Sequence, residues 1–389
     1  MPKKKIHVLQ VTILRYPEIV GGVDTMVSML INALLPHANC SVLVPGSWED
    51  AELSVKQSGE VTVYSIRLRM PFDTKHPVKN FLAWLIEFPR TLIKLSTMVK
   101  NGHVNIIHLH LLKSYHYYFR LLKWLSKTPY IVTLHGSDVA EFDKLSLSDK
   151  LLAKFALAGS SYVNAVSVGL ASLANERFST QKKIAPIYNG LNLDYIENIY
   201  SQSQYNRFTY PYFVMIGSFD PYKNHLTAIK AWAYLKKTHP HIHLIIVGEG
   251  DLHPQYESCI KEGNCQDTVH IIGQVSHAEV IGLLKYALGM IFPSINEGLG
   301  YVLLEAGAIG TPVICSNIEP FIEIVEHERN GLLFPAQDSQ AVADAVVRII
   351  DNPGWARQLG TELKTKIHQN FSAEKMASAY LKAYQSILN

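Results

Sequence analysis

Two glutamates eight positions apart, Glu297 and Glu305, frame the segment of the chain with the clearest chemical pattern. The apolar run at 289–293 before them predicts a buried strand, and the spacing of apolar residues over 301–309 predicts a helix. The two carboxylates therefore bracket a strand-to-helix turn. Because glutamates near a helix start also stabilise the helix dipole, the pair alone is a weak signal.

The turn between the glutamates contains Gly298, Leu299 and Gly300, and the predicted helix opens with Tyr301 and Val302. Glycines let a backbone approach a ligand closely, and the amides at a helix start favour a phosphate. A carboxylate one turn further into the helix suits the hydroxyls of a ribose, since an ionised carboxylate accepts two hydrogen bonds. We therefore predict a sugar-nucleotide site, with ordinary turn chemistry as the alternative.

A second pattern follows the predicted strand at 212–216, where Gly217 and Ser218 precede Lys223. We expect Lys223 to open the next helix, where its ammonium group can neutralise a pyrophosphate. A cation at a helix N-terminus is unfavourable by ~0.3 to 1 kcal/mol, which favours a functional interpretation over a lysine that is merely solvated.

Two further strand ends carry candidate residues. His135 follows the predicted strand at 130–134 and is placed to hydrogen bond to a sugar, although a core histidine bonded to backbone is the competing interpretation. Gly22 ends a loop before a predicted helix at 24–35, and this loop lacks the Gly-x-Gly-x-x-Gly spacing of dinucleotide sites. We expect no nicotinamide or flavin cofactor and, since no cysteines or histidines have zinc-ligand spacing, no structural metal.

Strand-length apolar runs alternate with helix-length segments along the chain, which predicts parallel α/β sheets. The length of 389 residues favours two such domains, whose strand ends would share a cleft. A polar stretch at 196–211 is the predicted linker. The predicted domains are 1–195 and 212–370, followed at 371–389 by a helix that can pack back on the first domain.

Together these motifs resemble those of family 4 glycosyltransferases, over nearly the whole chain. Glu297 and Glu305 match the ends of the family's E-x7-E motif. The other matching elements occur in the family's order: Gly21-Gly22, His135-Gly136-Ser137-Asp138, Asn189-Gly190, Gly217 with Lys223, Val247-Gly248-Glu249-Gly250 and Gly273-Gln274-Val275. The resemblance implies a GT-B fold, with two Rossmann-like domains around a cleft, and a metal-independent transfer that retains anomeric configuration.

The same resemblance implies roles for individual residues. Glu305 would hold the donor ribose, and Lys223 with backbone amides around 299–302 would hold the pyrophosphate. Glu297 and His135 would contact the transferred sugar, so the implied catalytic residues are Glu297, His135 and Lys223. Other donor contacts are implied at Gly22, Gly217, Ser218, Val275, Gly298, Leu299, Gly300, Tyr301 and Val302.

One position departs from the family pattern. The family usually has an arginine directly after the glycine that matches Gly217, and this chain has Ser218. Loss of such an electrostatic contact can cost ~3 to 4 kcal/mol in a well-formed site. Arg15 is the candidate for a compensating cation; a slow enzyme or a loss of catalysis are the alternatives.

The first half of the chain is basic. Residues 1–195 contain 22 Lys and Arg against 14 Asp and Glu, whereas the remainder contains 14 against 19, and 88–137 contains seven basic residues and no acid. This asymmetry suits an anionic partner such as a membrane surface, with a basic solvated surface as the alternative. Four cysteines without a pairing pattern and the lack of a leader predict a cytoplasmic protein, peripheral on the membrane at most.

The segment 81–100 is apolar but contains charged residues and a proline, so we do not expect it to span a membrane. Its apolar side, with Phe81, Trp84, Leu85 and Phe88, can lie on a membrane surface or pack on the domain's own sheet, and we favour packing.

The predicted function is transfer of a sugar from a nucleoside-diphosphate donor to a glycan or lipid-linked acceptor, in cell-surface polysaccharide or glycolipid synthesis. An epimerase acting on a sugar nucleotide and a non-catalytic binding subunit of the same fold are the alternatives. We find no element typical of nucleic-acid recognition and predict no nucleic-acid partner.

Overall fold

The computed structural model describes residues 5–12, 16–17, 22–46, 52–71, 77–178, 183–204 and 206–389. The chain divides into two compact units. Unit 1 comprises Met1–Gly190 and Ala373–Asn389, and unit 2 comprises Leu191–Ser372. Arg15 and Gly21, which the sequence analysis named, lie outside the described residues.

Unit 1 is built on one sheet of eight described strands in the order β3-β4-β2-β1-β5-β6-β7-β8. All neighbouring strands are parallel except β3, which runs antiparallel to β4 at the edge. The central strands are almost fully buried, as parallel sheets covered by helices require, and they carry four buried polar side chains: Gln10, His108, His110 and Thr133. The strands are β1 His7–Val11, β2 Asn39–Pro45, β3 Ser54–Ser58, β4 Val61–Ile66, β5 Ile106–His110, β6 Tyr130–Leu134, β7 Tyr162–Ala165 and β8 Ala185–Pro186.

The helices of unit 1 connect these strands, and the last helix of the chain belongs to this unit as well. They are α1 Gly22–Leu34, α2 Pro77–Asn101, α3 Tyr117–Ser126, α4 Ser137–Ala140, α5 Leu147–Gly159, α6 Val168–Phe178 and α15 Ala373–Leu388. Short 3₁₀ turns occur at Ser114–His116 and Phe142–Lys144. α15 packs against α1 and buries Tyr380 and Tyr384 completely.

Unit 2 contains a six-stranded, fully parallel sheet in the order β11-β10-β9-β12-β13-β14. Its strands are β9 Tyr212–Ile216, β10 His243–Val247, β11 Val269–Ile271, β12 Gly289–Phe292, β13 Val313–Ser316 and β14 Leu332–Phe334. Its helices are α7 Leu193–Gln202, α8 His225–Leu235, α9 His253–Glu262, α10 His277–Tyr286, α11 Tyr301–Ile309, α12 Glu319–Ile324, α13 Ser339–Asp351 and α14 Pro353–Asn370, with a 3₁₀ turn at Pro221–Lys223.

The segment 196–211, predicted as the linker, belongs to unit 2, and α7 occupies its first part. Asn192 caps this helix by accepting from the Tyr195 amide at 3.0 Å, and Ile196 is buried. The chain passes from unit 1 to unit 2 earlier than polarity indicated, because a mostly polar helix can still be anchored by a cap and one buried side chain.

In helix α2, only two of the four apolar side chains that were predicted to share one packed side face inward. Trp84 donates from Nε1 to the Tyr117 hydroxyl at 2.7 Å, and the Phe88 ring lies 5.1 Å from that of Tyr118, so these two side chains pack inward. Leu85 and Phe81, predicted on the same side, are exposed. Among the described residues, no helix is both long enough and apolar enough to cross a membrane.

Candidate functional site

The order of strands in unit 2 reverses between β9 and β12, so the loops that follow these adjacent strands lie side by side. Ligands of open parallel sheets bind at the carboxyl ends of the strands at such a switch point. The loop after β9 carries Gly217 to Lys223, and the loop after β12 carries 293–300. The Ile295 amide donates to the Tyr222 carbonyl at 2.8 Å, and the Asn224 side chain donates to the Pro293 carbonyl at 3.1 Å.

Lys223 and Glu297 form an ion pair across these two loops. Lys223 Nζ lies 2.5 Å from Glu297 Oε1, which also accepts from the Ser294 hydroxyl at 2.9 Å. The two side chains retain 22% and 12% of their exposure, so the pair is only partly accessible to water. Lys223 ends the 3₁₀ turn rather than opening α8, because Asn224 in a left-handed conformation separates the turn from the helix. The structure thus joins two residues that the sequence analysis named separately.

Helix α11 begins without a side-chain cap. Gly300 precedes the helix with φ of +90° and provides no side-chain cap. A Cβ at Gly300 would lie 2.9 Å from ring atoms of both Phe292 and Phe321, so only glycine fits between these rings. The first amides of a helix have no intrahelical acceptor, and those of Val302 and Leu303 follow this open end. Such an end is electrically positive and binds anions.

Gly248 directly follows the neighbouring strand β10 and allows the loop after β9 to pass close to it. Its φ is +143°, and a Cβ there would lie 2.0 Å from the Gly217 carbonyl oxygen. Any side chain at 248 would displace the Gly217 backbone. A Cβ at Gly217 would lie 3.4 Å from the Lys223 side chain, so the lysine side chain lies over this glycine.

Glu305 lies within α11 and is 5% exposed. Its Oε1 is 2.8 Å from Nε2 of His277, the first residue of α10. This hydrogen bond raises the pKa of His277 above its ordinary value, against the opposing effect of burial. The ring of Tyr195 stacks on the imidazole, with centroids 5.8 Å apart and planes 11° apart. No local pattern in the sequence marks His277 or Tyr195, so neither residue was predicted.

The remaining donor candidates lie around these residues. Ser218 is exposed and donates to Asp220 Oδ2 at 2.6 Å, so the position of the family's arginine holds a hydroxyl engaged by a carboxylate. Val275 is half-buried in the loop between β11 and α10. Gly298, Tyr301 and Val302 are half-buried, and Leu299 is buried.

Two predicted residues belong to unit 1. Gly22 begins α1. His135 follows β6, with its Nε2 3.4 Å from Nδ1 of His110, and burial lowers its pKa to about 3, so it is neutral near pH 7. Asp138 holds this turn by accepting from the His135 amide at 3.0 Å and from the Gly136 amide at 2.9 Å.

Behind His135 lies a buried polar network that the sequence analysis did not identify. His110 bonds to Gln10 at 2.7 Å, and His108 bonds to Thr133 at 2.7 Å and to the Tyr384 hydroxyl at 2.8 Å. Burial places the pKa of both His108 and His110 well below the ordinary value. The network connects the central strands of unit 1 to helix α15. Within the described ranges, no group of three or more histidine, cysteine, aspartate or glutamate side chains is arranged to hold a metal ion.

Comparison with known proteins decides the family. The profile described as Glycosyl transferases group 1 matches residues 199–370, and that of Glycosyltransferase Family 4 matches 20–195. The chain belongs to glycosyltransferase family 4. An uncharacterized glycosyltransferase of Methanocaldococcus jannaschii is 25% identical over 386 residues, which cover 95% of both chains.

Solved structures show that this family 4 protein has the GT-B fold. Sucrose-phosphate synthase from Thermosynechococcus elongatus superimposes with a TM-score of 0.76 at 22% identity, over 98% of this chain and 99% of the other. Anabaena HepE in complex with UDP and glucose superimposes with a TM-score of 0.75 at 15% identity, over 98% and 100% of the two chains. The predicted family and fold are confirmed.

Proposed function

We propose that this glycosyltransferase moves a sugar, with retention of anomeric configuration, from a nucleoside-diphosphate donor to a glycan or lipid-linked acceptor of cell-surface synthesis. The observation that carries the proposal is the Lys223–Glu297 pair, which lies on the loops at the switch point of unit 2, where the second loop leads into the open end of α11. A cation and the first amides of a helix together suit a pyrophosphate, and a carboxylate held by the same cation suits sugar hydroxyls.

In the proposed reaction, the bond between the anomeric carbon and the phosphate oxygen breaks while a bond to the acceptor oxygen forms on the same face. The acceptor proton passes to the departing phosphate. Negative charge grows on the diphosphate, and groups already aimed at that charge lower the barrier most. Lys223 and the amides of α11 supply such groups, and Glu297 orients the sugar. HepE binds UDP and glucose, which supports a nucleoside diphosphate as the donor's leaving part.

Thermal unfolding of the purified protein with a panel of nucleoside diphosphates and sugar nucleotides tests the donor site. Ligand that binds the folded state raises the unfolding temperature, so we expect a selective rise with one nucleotide. The rise should be lost in Lys223→Ala and strongly reduced in Glu305→Gln. Glu319→Gln, an exposed glutamate in the first turn of α12, is the matched control and should behave as wild type. A wild-type rise in both site variants would contradict the assignment.

Ser218, whose hydroxyl donates to Asp220, favours a non-catalytic, donor-binding subunit as the second candidate function. That form would bind the donor but release no nucleoside diphosphate with any acceptor. Product formed from the donor without an acceptor would instead indicate an epimerase. Nucleotide release that depends on added glycan or lipid-linked acceptor separates all three.

We also propose that unit 1 contacts an anionic membrane through the outer face of α2, defined here as Val78, Leu82, Leu85, Ile86 and Ile93. These apolar side chains recur at helical spacing along one stripe and are 47–72% exposed. Exposed Lys79 and Arg90 flank the stripe. An apolar stripe with basic flanks matches helices that lie in the interface of anionic lipids. The opposite face of α2 is already packed on unit 1 through Trp84 and Phe88.

A further inference from the structure

The contact between His277 and Glu305 joins two parts of unit 2 that are distant in sequence. His277 begins α10 and is half-buried, whereas Glu305 lies inside α11 and is 5% exposed. Within the described part of the chain, the Glu305 side chain makes this one hydrogen bond, at 2.8 Å. Burying a carboxylate is unfavourable unless a partner compensates it, and His277 is the compensating partner.

The imidazole is itself held in place. Tyr195 of α7 stacks on one face of the ring at an angle of 11°, and α7 packs against both α10 and α11. Stacking restricts rotation of the ring about its last torsion, which is otherwise broad. The direction of the Nε2 hydrogen bond is thereby fixed, and the carboxylate plane of Glu305 with it.

The hydrogen bond uses only one carboxylate oxygen. Oε1 of Glu305 faces His277, while Oε2 accepts no hydrogen bond from any residue in the described part of the chain. An ionised carboxylate has acceptor capacity on both oxygens. A ligand hydroxyl can therefore bond to Oε2 without displacing His277, and the orientation of Oε2 follows from that of Oε1.

We propose that His277 is a positioning residue that fixes Glu305 for ribose recognition, and that it thereby sets the preference for ribonucleotide over 2′-deoxyribonucleotide donors. This inference rests on the proposed function, in which Glu305 binds the donor ribose. A hydrogen bond from the 2′-hydroxyl to a fixed carboxylate contributes more binding free energy than one to a carboxylate that can rotate, because less rotational freedom is lost on binding. His277 touches no reacting atom and should affect donor binding much more than turnover.

The test is calorimetric binding of UDP and 2′-deoxy-UDP, with the ADP and GDP pairs run in parallel. The quantity compared is the ratio of the two dissociation constants for each protein. We expect His277→Ala to lower the preference for the ribonucleotide by roughly tenfold, the upper end of what immobilising one side chain on binding costs. His277→Gln keeps an N–H donor on a side chain of similar reach and should retain much of the preference. Tyr195→Leu, which removes the stacking, should give a smaller loss.

Two references make the outcomes distinguishable. Glu305→Gln should abolish the preference, and His253→Ala, which removes another histidine next to a glutamate (Glu257 at 3.4 Å), should leave it unchanged. If Glu305→Gln abolishes the preference while His277→Ala keeps the wild-type ratio, the positioning role is wrong and the donor site stands. If Glu305→Gln also keeps the wild-type ratio, the ribose assignment of Glu305 fails, and this inference fails with it.

Discussion

Replacing two side chains on the outer face of α2 should detach the protein from anionic vesicles. Leu82 is 56% exposed and Ile86 is 60% exposed. Full burial of a leucine or isoleucine is worth ~1.5 to 3 kcal/mol, so a half-exposed one has about 1 kcal/mol still to gain from lipid. The variant Leu82→Gln with Ile86→Gln should therefore lose about 2 kcal/mol of binding free energy, roughly a thirtyfold weaker partition.

The assay is co-sedimentation with vesicles of equal parts phosphatidylcholine and phosphatidylglycerol at low salt, titrated to give a partition coefficient. Lys79→Gln with Arg90→Gln should weaken binding by about 1 kcal/mol per charge and reduce its dependence on salt. Ile322→Gln removes an isoleucine of unit 2 that is 43% exposed and is the matched control for apolar surface in general. Such surface changes should leave the free energy of unfolding within about 0.5 kcal/mol.

Two outcomes would contradict membrane contact through α2. If the Leu82 and Ile86 double variant partitions as wild type does, α2 does not contact the lipid. If Ile322→Gln weakens binding equally, the adsorption is non-specific, and the stripe on α2 has no special role. In both cases, the proposal that the basic residues of 88–137 have an anionic membrane as their partner would fail as well.

Other predictions concern the donor site and pH. Ser218→Arg should raise kcat/KM at least tenfold, since a restored cation would stabilise the leaving diphosphate. Ser258→Arg on α9 is the control. An unchanged kcat/KM in Ser218→Arg would mean that another cation already stabilises the diphosphate. Acidification should destabilise unit 1. Burial lowers the pKa of His116 and His135 to about 3 and places the pKa of His108 and His110 well below 6.5. The unfolded state therefore takes up more protons than the folded state as the pH falls below about 6.5. Denaturant unfolding should show the stability intact above that pH and decreasing below it, by up to ~1.4 kcal/mol per pH unit and histidine. His116→Leu should reduce the slope, and a flat profile between pH 7 and 5 would contradict the assignment.

Local pattern was enough to predict most of the framework. Strands such as Tyr130–Leu134 and Tyr212–Ile216 and helix Tyr301–Ile309 have the predicted bounds, because each is a continuous apolar or helical pattern closed by clear breakers. Strand Ser54–Ser58 was missed because it is polar and pairs antiparallel at an exposed edge, where no core imposes an apolar pattern.

Features that depend on distant contacts were not predictable. The orientation of α2 was ambiguous because apolar residues occur on two sides of the helix, and only the contacts of Trp84 and Phe88 determine which side faces inward. The role of His277 depends on a glutamate 28 positions away and on Tyr195 on a third helix. Lys223 and Glu297 were each predicted as site residues. Their contact was not predictable, because it depends on the order of strands in the sheet.

The placement of α15 has a consequence for synthesis of the chain. Unit 1 receives its last helix, with the buried Tyr380 and Tyr384, only from Ala373–Leu388, whereas unit 2 is contained in one continuous segment. The ribosome therefore synthesises all of unit 2 before Tyr384 and Tyr380, the α15 partners of His108 and Thr133. Until then, His108 and Thr133 lack their tyrosine hydroxyls, and the nascent first unit has an uncovered polar core. The first unit should thus complete its fold only after the whole chain has been synthesised, although most of it is made before the second unit.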